Sequence, residues 1–131
     1  MDTLIFPAER VIEINAYIQA TEPGFIGRND IGKLQGALAR IDNAICYEGL
    51  DDVFEIAAKY AHSIAVAHAF SDANKRTGFI TCLEYLSIND FEIKIDNDML
   101  ADAMVDLVLG ELGIGQFADL LYSSYIASSE V

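Results

Sequence analysis

Cysteine is scarce in this 131-residue chain, and so is positive charge. The two cysteines, Cys46 and Cys82, are too few for a disulfide framework and have no metal-site spacing. Neither has a charged base nearby in sequence, so both read as small buried side chains rather than nucleophiles. Lys and Arg number 8 against 21 Asp and Glu, a formal net charge of −13. Such a chain lacks the dense basic surface on which nucleic-acid binding rests. An anionic membrane surface would repel it as well. No apolar run reaches the roughly 20 residues of a membrane-spanning helix. The opening MDTLIFPAER has an acid where a secretory signal carries a base, and no long apolar core follows. The expectation is a cytoplasmic protein with no membrane and no direct nucleic-acid partner.

What is present is a globular composition, 53% hydrophobic and 22% charged. A single domain over 1–131 of this size buries roughly two-thirds of the surface its unfolded chain exposes. Apolar residues recur at helical spacing almost throughout. Pro7 suits the first turn of a helix with Val11, Ile14 and Ile18 on one side, and Thr21-Glu22-Pro23-Gly24 should end it. Asp30 is placed to cap a second helix marked by Ile31, Leu34, Leu38, Ile41 and Ile45, with Gly32 and Gly36 weakening it. A break over Cys46–Leu50 leads to Asp51-Asp52, a cap and acidic first turn for a third helix. That helix is expected to bury Phe54, Ala57, Ala61, Ile64, Ala65 and His68 along one stripe, and its alanines would let a neighbour approach closely.

A fourth helix is expected from about Asn74, carrying Phe79, Ile80, Leu83 and Leu86. Phe91 to Ile95 alternates and reads as a short extended link. Asp96 or Asn97 would cap a fifth helix with Leu100, Met104, Leu107 and Val108. After Gly110, Gly113 and Gly115 a last helix holds Phe117, Leu120, Leu121 and Tyr125, with a Ser-rich tail expected to fray after Ile126. The fold class is all-α, a bundle of about six helices.

One segment stands apart: His68-Ala69-Phe70-Ser71-Asp72-Ala73-Asn74-Lys75-Arg76-Thr77. A histidine closes one helix, a short polar loop follows, and the next helix opens on Asn-Lys-Arg. The first amides of a helix lack internal partners and, with the dipole, form an anion site. Lys75 and Arg76 are unfavourable in a first turn, and a bound anion would compensate. Asp72 beside such an anion suits magnesium, which takes one or two carboxylates plus phosphate oxygens. His68 can accept a proton from an attacking hydroxyl. Each piece alone has a plain structural explanation: a packed histidine, a turn, a solvated basic pair. Together, within ten residues, they describe nucleotide-dependent group transfer to a hydroxyl.

The segment resembles the signature of the Fic/Doc family, His-x-Phe-x-Asp/Glu-Gly-Asn-Gly/Lys-Arg. His68, Phe70, Asp72, Asn74 and Arg76 match it; Ala73 replaces the usual first glycine, and Lys75 stands where AMP-transferring members carry glycine. These departures, and the absence of proline after the histidine, bring the segment nearest to the Doc (death-on-curing) toxins. Ala37–Arg40, Tyr47–Gly49, Asp52–Ala58 and Thr77–Leu86 extend the likeness, which covers roughly residues 4 to 122.

The resemblance implies a role for each position. His68 would be the catalytic base, Asp72 the Mg²⁺ ligand, and Ala73, Asn74, Lys75 and Arg76 the phosphate-binding positions. Phe70 would position the loop. Ile41 to Leu50 resembles a flap hairpin or loop that aligns the target, with Ile41, Asp42, Asn43, Ala44 and Ile45 docking it by strand addition. It also implies a fold, the Fic/Doc helical bundle, and an activity: transfer of the terminal phosphoryl of ATP to a Thr or Ser hydroxyl of translation elongation factor Tu, arresting translation. The implied partner is an antitoxin, since no inhibitory Ser/Thr-x-x-x-Glu-Gly helix is found in the chain. An AMP transferase using the same residues, and an inactive binding protein of the same fold, are the alternatives.

Other residues point less far. His62 lies about 240° round the helix from His68 and so faces elsewhere. Tyr47, Tyr60, Tyr85, Tyr122 and Tyr125 read as core or rim aromatics.

Overall fold

The computed structural model describes residues 6–21, 29–94 and 98–129. They form six helices: α1 Ala8–Thr21, α2 Ile31–Tyr47, α3 Val53–Ala67, α4 Asn74–Ile88, α5 Asp98–Leu109 and α6 Ile114–Ser129. No strand occurs among the described residues. Nor is any helix there long and apolar enough to cross a membrane. The turn at Glu22–Gly24, the end of the link at Ile95 and the caps Asp96 and Asn97 lie outside the described residues.

The helix starts follow local chemistry. The Pro7 carbonyl accepts from the Arg10 and Val11 amides and so opens α1. Asp30 caps α2 by accepting from the Lys33 amide at 3.1 Å. Asp52 caps α3 by accepting from Phe54 at 2.8 Å and Glu55 at 3.1 Å. These satisfy amides that have no partner inside the helix. Gly49, at φ +72°, lets the chain turn out of α2, with the Leu50 amide donating to the Ala44 carbonyl at 3.1 Å.

α3 is the central helix: α2, α4, α5 and α6 all pack on it, α4 most extensively. The expected alanine stripe makes this possible, with Ala57, Ala58, Ala61 and Ala65 buried. Gly78 of α4 completes it. A Cβ there would lie 2.5 Å from the Ala61 carbonyl oxygen, so only glycine allows the two backbones this spacing. One apolar cluster gathers residues from all six helices. Arg10 reaches across from α1 to grip Glu84 of α4 through two hydrogen bonds, at 2.6 Å and 2.5 Å. That pair holds the Arg10 guanidinium in its charged form.

Three expectations are corrected and the inward face of α4 is defined. The segment Ile41–Ile45 is no hairpin or loop but the continuation of α2, with Ile41 and Ala44 only 1% and 3% exposed. These residues prolong the spacing begun by Leu34 and Leu38, and the backbone there is committed to helical bonds that an added strand cannot use. On α4, the buried face is Thr77, Gly78, Thr81, Cys82, Tyr85 and Leu86, while Phe79 and Ile80 are partly buried. A helix packed against α1, α3 and α5 loses the contrast between faces on which periodicity depends. Cys46 is exposed, unlike Cys82. The carboxy-terminal serines stay helical to Ser129, because the Ser128 hydroxyl donates to the Ser124 carbonyl and accepts from the Lys94 amide. The tyrosines divide: Tyr60 and Tyr85 are buried together at 4.9 Å between ring centroids, whereas Tyr47 is 85% exposed.

Candidate active site

The loop between α3 and α4 begins and ends on residues whose backbone an L side chain rarely adopts. His68 ends α3 at φ +52° and Ala73 precedes α4 at φ +63°. A non-glycine residue in this region costs energy, so the surroundings must hold it there. Phe70, 4% exposed, anchors the loop by inserting its ring in the core. The Asn74 side chain bridges back, its Oδ1 accepting from the Phe70 amide at 3.1 Å and its Nδ2 donating to the Phe70 carbonyl at 2.9 Å. The Asp72 carboxylate accepts from the Ala73 amide at 2.8 Å. The start of α2 is tied to the same loop, since the Asp30 amide donates to the Ala69 carbonyl at 2.6 Å.

The opening of α4 differs chemically from those of α2 and α3. Ala73 has no side chain with which to cap it, and the next two residues after Asn74 are the cations Lys75 and Arg76. A helix start without a capping carboxylate and with added positive charge favours an anion. His68 is exposed rather than buried on the α3 stripe, because α3 ends at Ala67 and His68 turns left-handed out of it; with exposed Asp72, Lys75 and Arg76 it lines one cleft of about 750 Å³. Its floor includes Ala65 and Phe79, and α5 supplies the opposite wall with Ala101, Asp102, Met104, Val105 and Val108. The cleft therefore offers a charged end at the loop and a largely apolar wall, dimensions and polarity suited to a nucleotide.

Among the described residues no group of three His, Cys, Asp or Glu side chains is arranged to hold a metal ion. One carboxylate, Asp72, lies beside the anion site. That donor set fits magnesium arriving with a nucleotide, because Mg²⁺ keeps several waters and takes one or two carboxylates plus phosphate oxygens.

The structure thus brings His68, Asp72, Ala73, Asn74, Lys75 and Arg76 to one cleft and puts Phe70 beneath it. It divides their work differently in one respect. The Asn74 amide is occupied by Phe70, so its contribution is loop shape and its own backbone N–H. The positions 41–45 do not line the cleft. Of these, Asp42 has a buried carboxylate oxygen without a hydrogen bond, and burial raises its pKa. His62 stays clear of the cleft. Sequence reading missed Asn15 and Gln19 of α1 and Asp102 of α5. They sit on helices remote in the chain, and their only sequence trace is a polar residue in an amphipathic pattern.

A family model described as the Fic/DOC family matches residues 5–86, a span that contains the whole loop and most of α4. A protein of Escherichia phage P1 named protein kinase doc is 34% identical over 102 residues, covering 78% of this chain and 80% of its own. With the histidine, the acid and the basic helix start lining one cleft, and with that match over most of its length, this chain belongs to the Fic/Doc family.

Proposed function

We propose that this chain transfers the terminal phosphoryl group of ATP to a Thr or Ser hydroxyl of a protein, as the toxin of a toxin–antitoxin pair. The observation that carries the reading is the α4 start: Lys75 and Arg76 beside an N-cap that does no capping, in one cleft with His68 and Asp72. The name of the phage P1 relative, a protein kinase, supports phosphoryl transfer over other chemistry. In the reaction the target hydroxyl oxygen bonds to the γ-phosphorus, and the bond from that phosphorus to the β–γ bridging oxygen breaks. ADP leaves, and the hydroxyl proton passes to His68. Lys75, Arg76 and the first amides of α4 hold the phosphates in place, which is most of what phosphoryl transfer requires. Magnesium held between Asp72 and the phosphates would neutralise part of the triphosphate charge. The lysine stem fills space that a glycine would leave open, which opposes the placement needed for attack at the α-phosphorus.

On this reading the protein acts in the cytoplasm, with elongation factor Tu as target and translation as the process arrested. A small cognate antitoxin, made beside it, restrains it by covering the cleft.

The test uses ATP labelled at the α or the γ phosphate, purified elongation factor Tu and a lysate, with mass spectrometry of any modified protein. Label from γ and a gain of one phosphate are expected, with His68→Ala lowering the rate by roughly 10² to 10⁴. An AMP adduct would replace the phosphoryl reading by AMP transfer, and label from neither position would leave a binding protein.

A further inference from the structure

Asn15 is the only amide side chain buried in the core among the described residues, at 2% exposure. It lies on α1, far in sequence from the loop, yet it is spent on the loop. Its Nδ2 donates to the Asp72 carbonyl at 3.0 Å and to the Thr77 hydroxyl at 3.0 Å. Its Oδ1 accepts from Gln19 Nε2 at 2.6 Å, and Gln19 lines the cleft. Thr77 is fully buried, and its amide donates to the Ala73 carbonyl at 2.8 Å. One amide therefore joins the carbonyl just before the left-handed residue Ala73 to the helical turn just after it.

That placement matters because Ala73 does not adopt its backbone conformation cheaply. Something outside the loop must hold it. Asn74 secures the upstream half through Phe70, and Asn15 secures the downstream half, where the acid and the helix start must face the same phosphate. A buried donor that lost these partners would go unsatisfied, so the bonds are under pressure to persist. The amphipathic pattern of α1 gives no reason for an amide here: Val11, Ile14 and Ile18 are its buried neighbours.

We propose that Asn15 is a positioning residue for transfer, acting through the Asp72 carbonyl and Thr77 to hold the Asp72 carboxylate and the first amides of α4 on one phosphate. The proposal rests on the phosphoryl-transfer reading above. Gln19 fixes the orientation of the Asn15 amide and carries the network to the wall of the cleft.

The test compares the full chain with Asn15→Asp, Asn15→Ala, Thr77→Val and Thr77→Ser, each studied well below its own melting temperature. Asn15→Asp keeps the size and the acceptor for Gln19 but loses both donors. Three readouts are taken: kcat and KM with ATP, the Mg²⁺ concentration giving half-maximal ATP binding by calorimetry, and amide hydrogen exchange at Ala73 and Thr77 by NMR. Folded Asn15→Asp should lose about 10²-fold in transfer, the scale of a misplacement near 1 Å. It should also need more Mg²⁺ and exchange faster at both amides, while the amides of α3 keep their protection. Thr77→Ser should behave as wild type and Thr77→Val should fall between. A folded Asn15→Asp with wild-type Mg²⁺ dependence and exchange would overturn the proposal. So would an Asn15→Ala chain whose only change is a lower melting temperature. If the wild-type chain itself binds no Mg²⁺-ATP, the transfer reading fails. The exchange data then decide the loop-holding role alone, faster exchange supporting it and unchanged exchange overturning it.

Discussion

Replacing Gly78 by alanine pits two effects of known size against each other. In a helix interior Ala is favoured over Gly by about 1 kcal/mol. Here the new Cβ would lie 2.5 Å from the Ala61 oxygen and 3.2 Å from the Ala65 nitrogen, where ordinary contact begins at 3.4 Å. Both obstacles are backbone, so no rotamer can swing aside. α3 is also held by α2, α5 and α6, so α4 must recede. Overpacking of this kind costs typically 1–3 kcal/mol, and a gap of this depth against backbone belongs at the upper end. The clash should win by about 1–2 kcal/mol. For a chain of this length that lowers the melting temperature by about 3–10 °C. Gly36→Ala is the control, because its Cβ meets nothing within 4 Å on another helix. It keeps the propensity gain alone and should raise stability by up to about 1 kcal/mol. Thermal and urea unfolding of both variants measure the difference. His68 caps the end of α3 and Lys75 lies in the first turn of α4, so under the proposed function the receding helix should also slow transfer by folded Gly78→Ala. A Gly78→Ala protein as stable as Gly36→Ala would refute the close-packing argument.

Three further outcomes follow from the same structure. Ala73→Gly removes a Cβ from a residue at φ +63° and should stabilise the protein by about 0.5–1 kcal/mol in urea unfolding, with the greater freedom of glycine in the unfolded chain limiting the gain; destabilisation would mean that the loop does not hold this conformation in solution. Burial raises the pKa of Tyr60 to about 12 and raises those of Tyr85 and the Cys82 thiol. These groups stay protonated when folded but ionise earlier when unfolded, so stability should be full at neutral pH and fall as pH climbs from about 9 through about 12. In native protein at pH 8 a thiol reagent should titrate exposed Cys46 and not Cys82, and denaturation should release the second thiol. Equal reaction of both thiols in the folded state would contradict the burial of Cys82.

The sequence by itself determined the local features. Asp30 and Asp52 cap helices because a carboxylate before an apolar run has nearby amides to bind, whatever the rest of the chain does. The alanines of α3 announced a close neighbour, and the ten residues from His68 to Thr77 set a histidine, an acid and a basic pair in contiguous order. The likeness read there was family membership, though it also suggested a flap over Ile41–Leu50, whose docking residues Ile41–Ile45 belong to α2. Only the tertiary structure decided which face of α4 is buried, because a helix covered on several sides shows little amphipathic contrast. It also decided that Asn15 serves a loop 57 residues away. A buried amide on α1 has no local signature, since its partners exist only once α1 and α4 have packed.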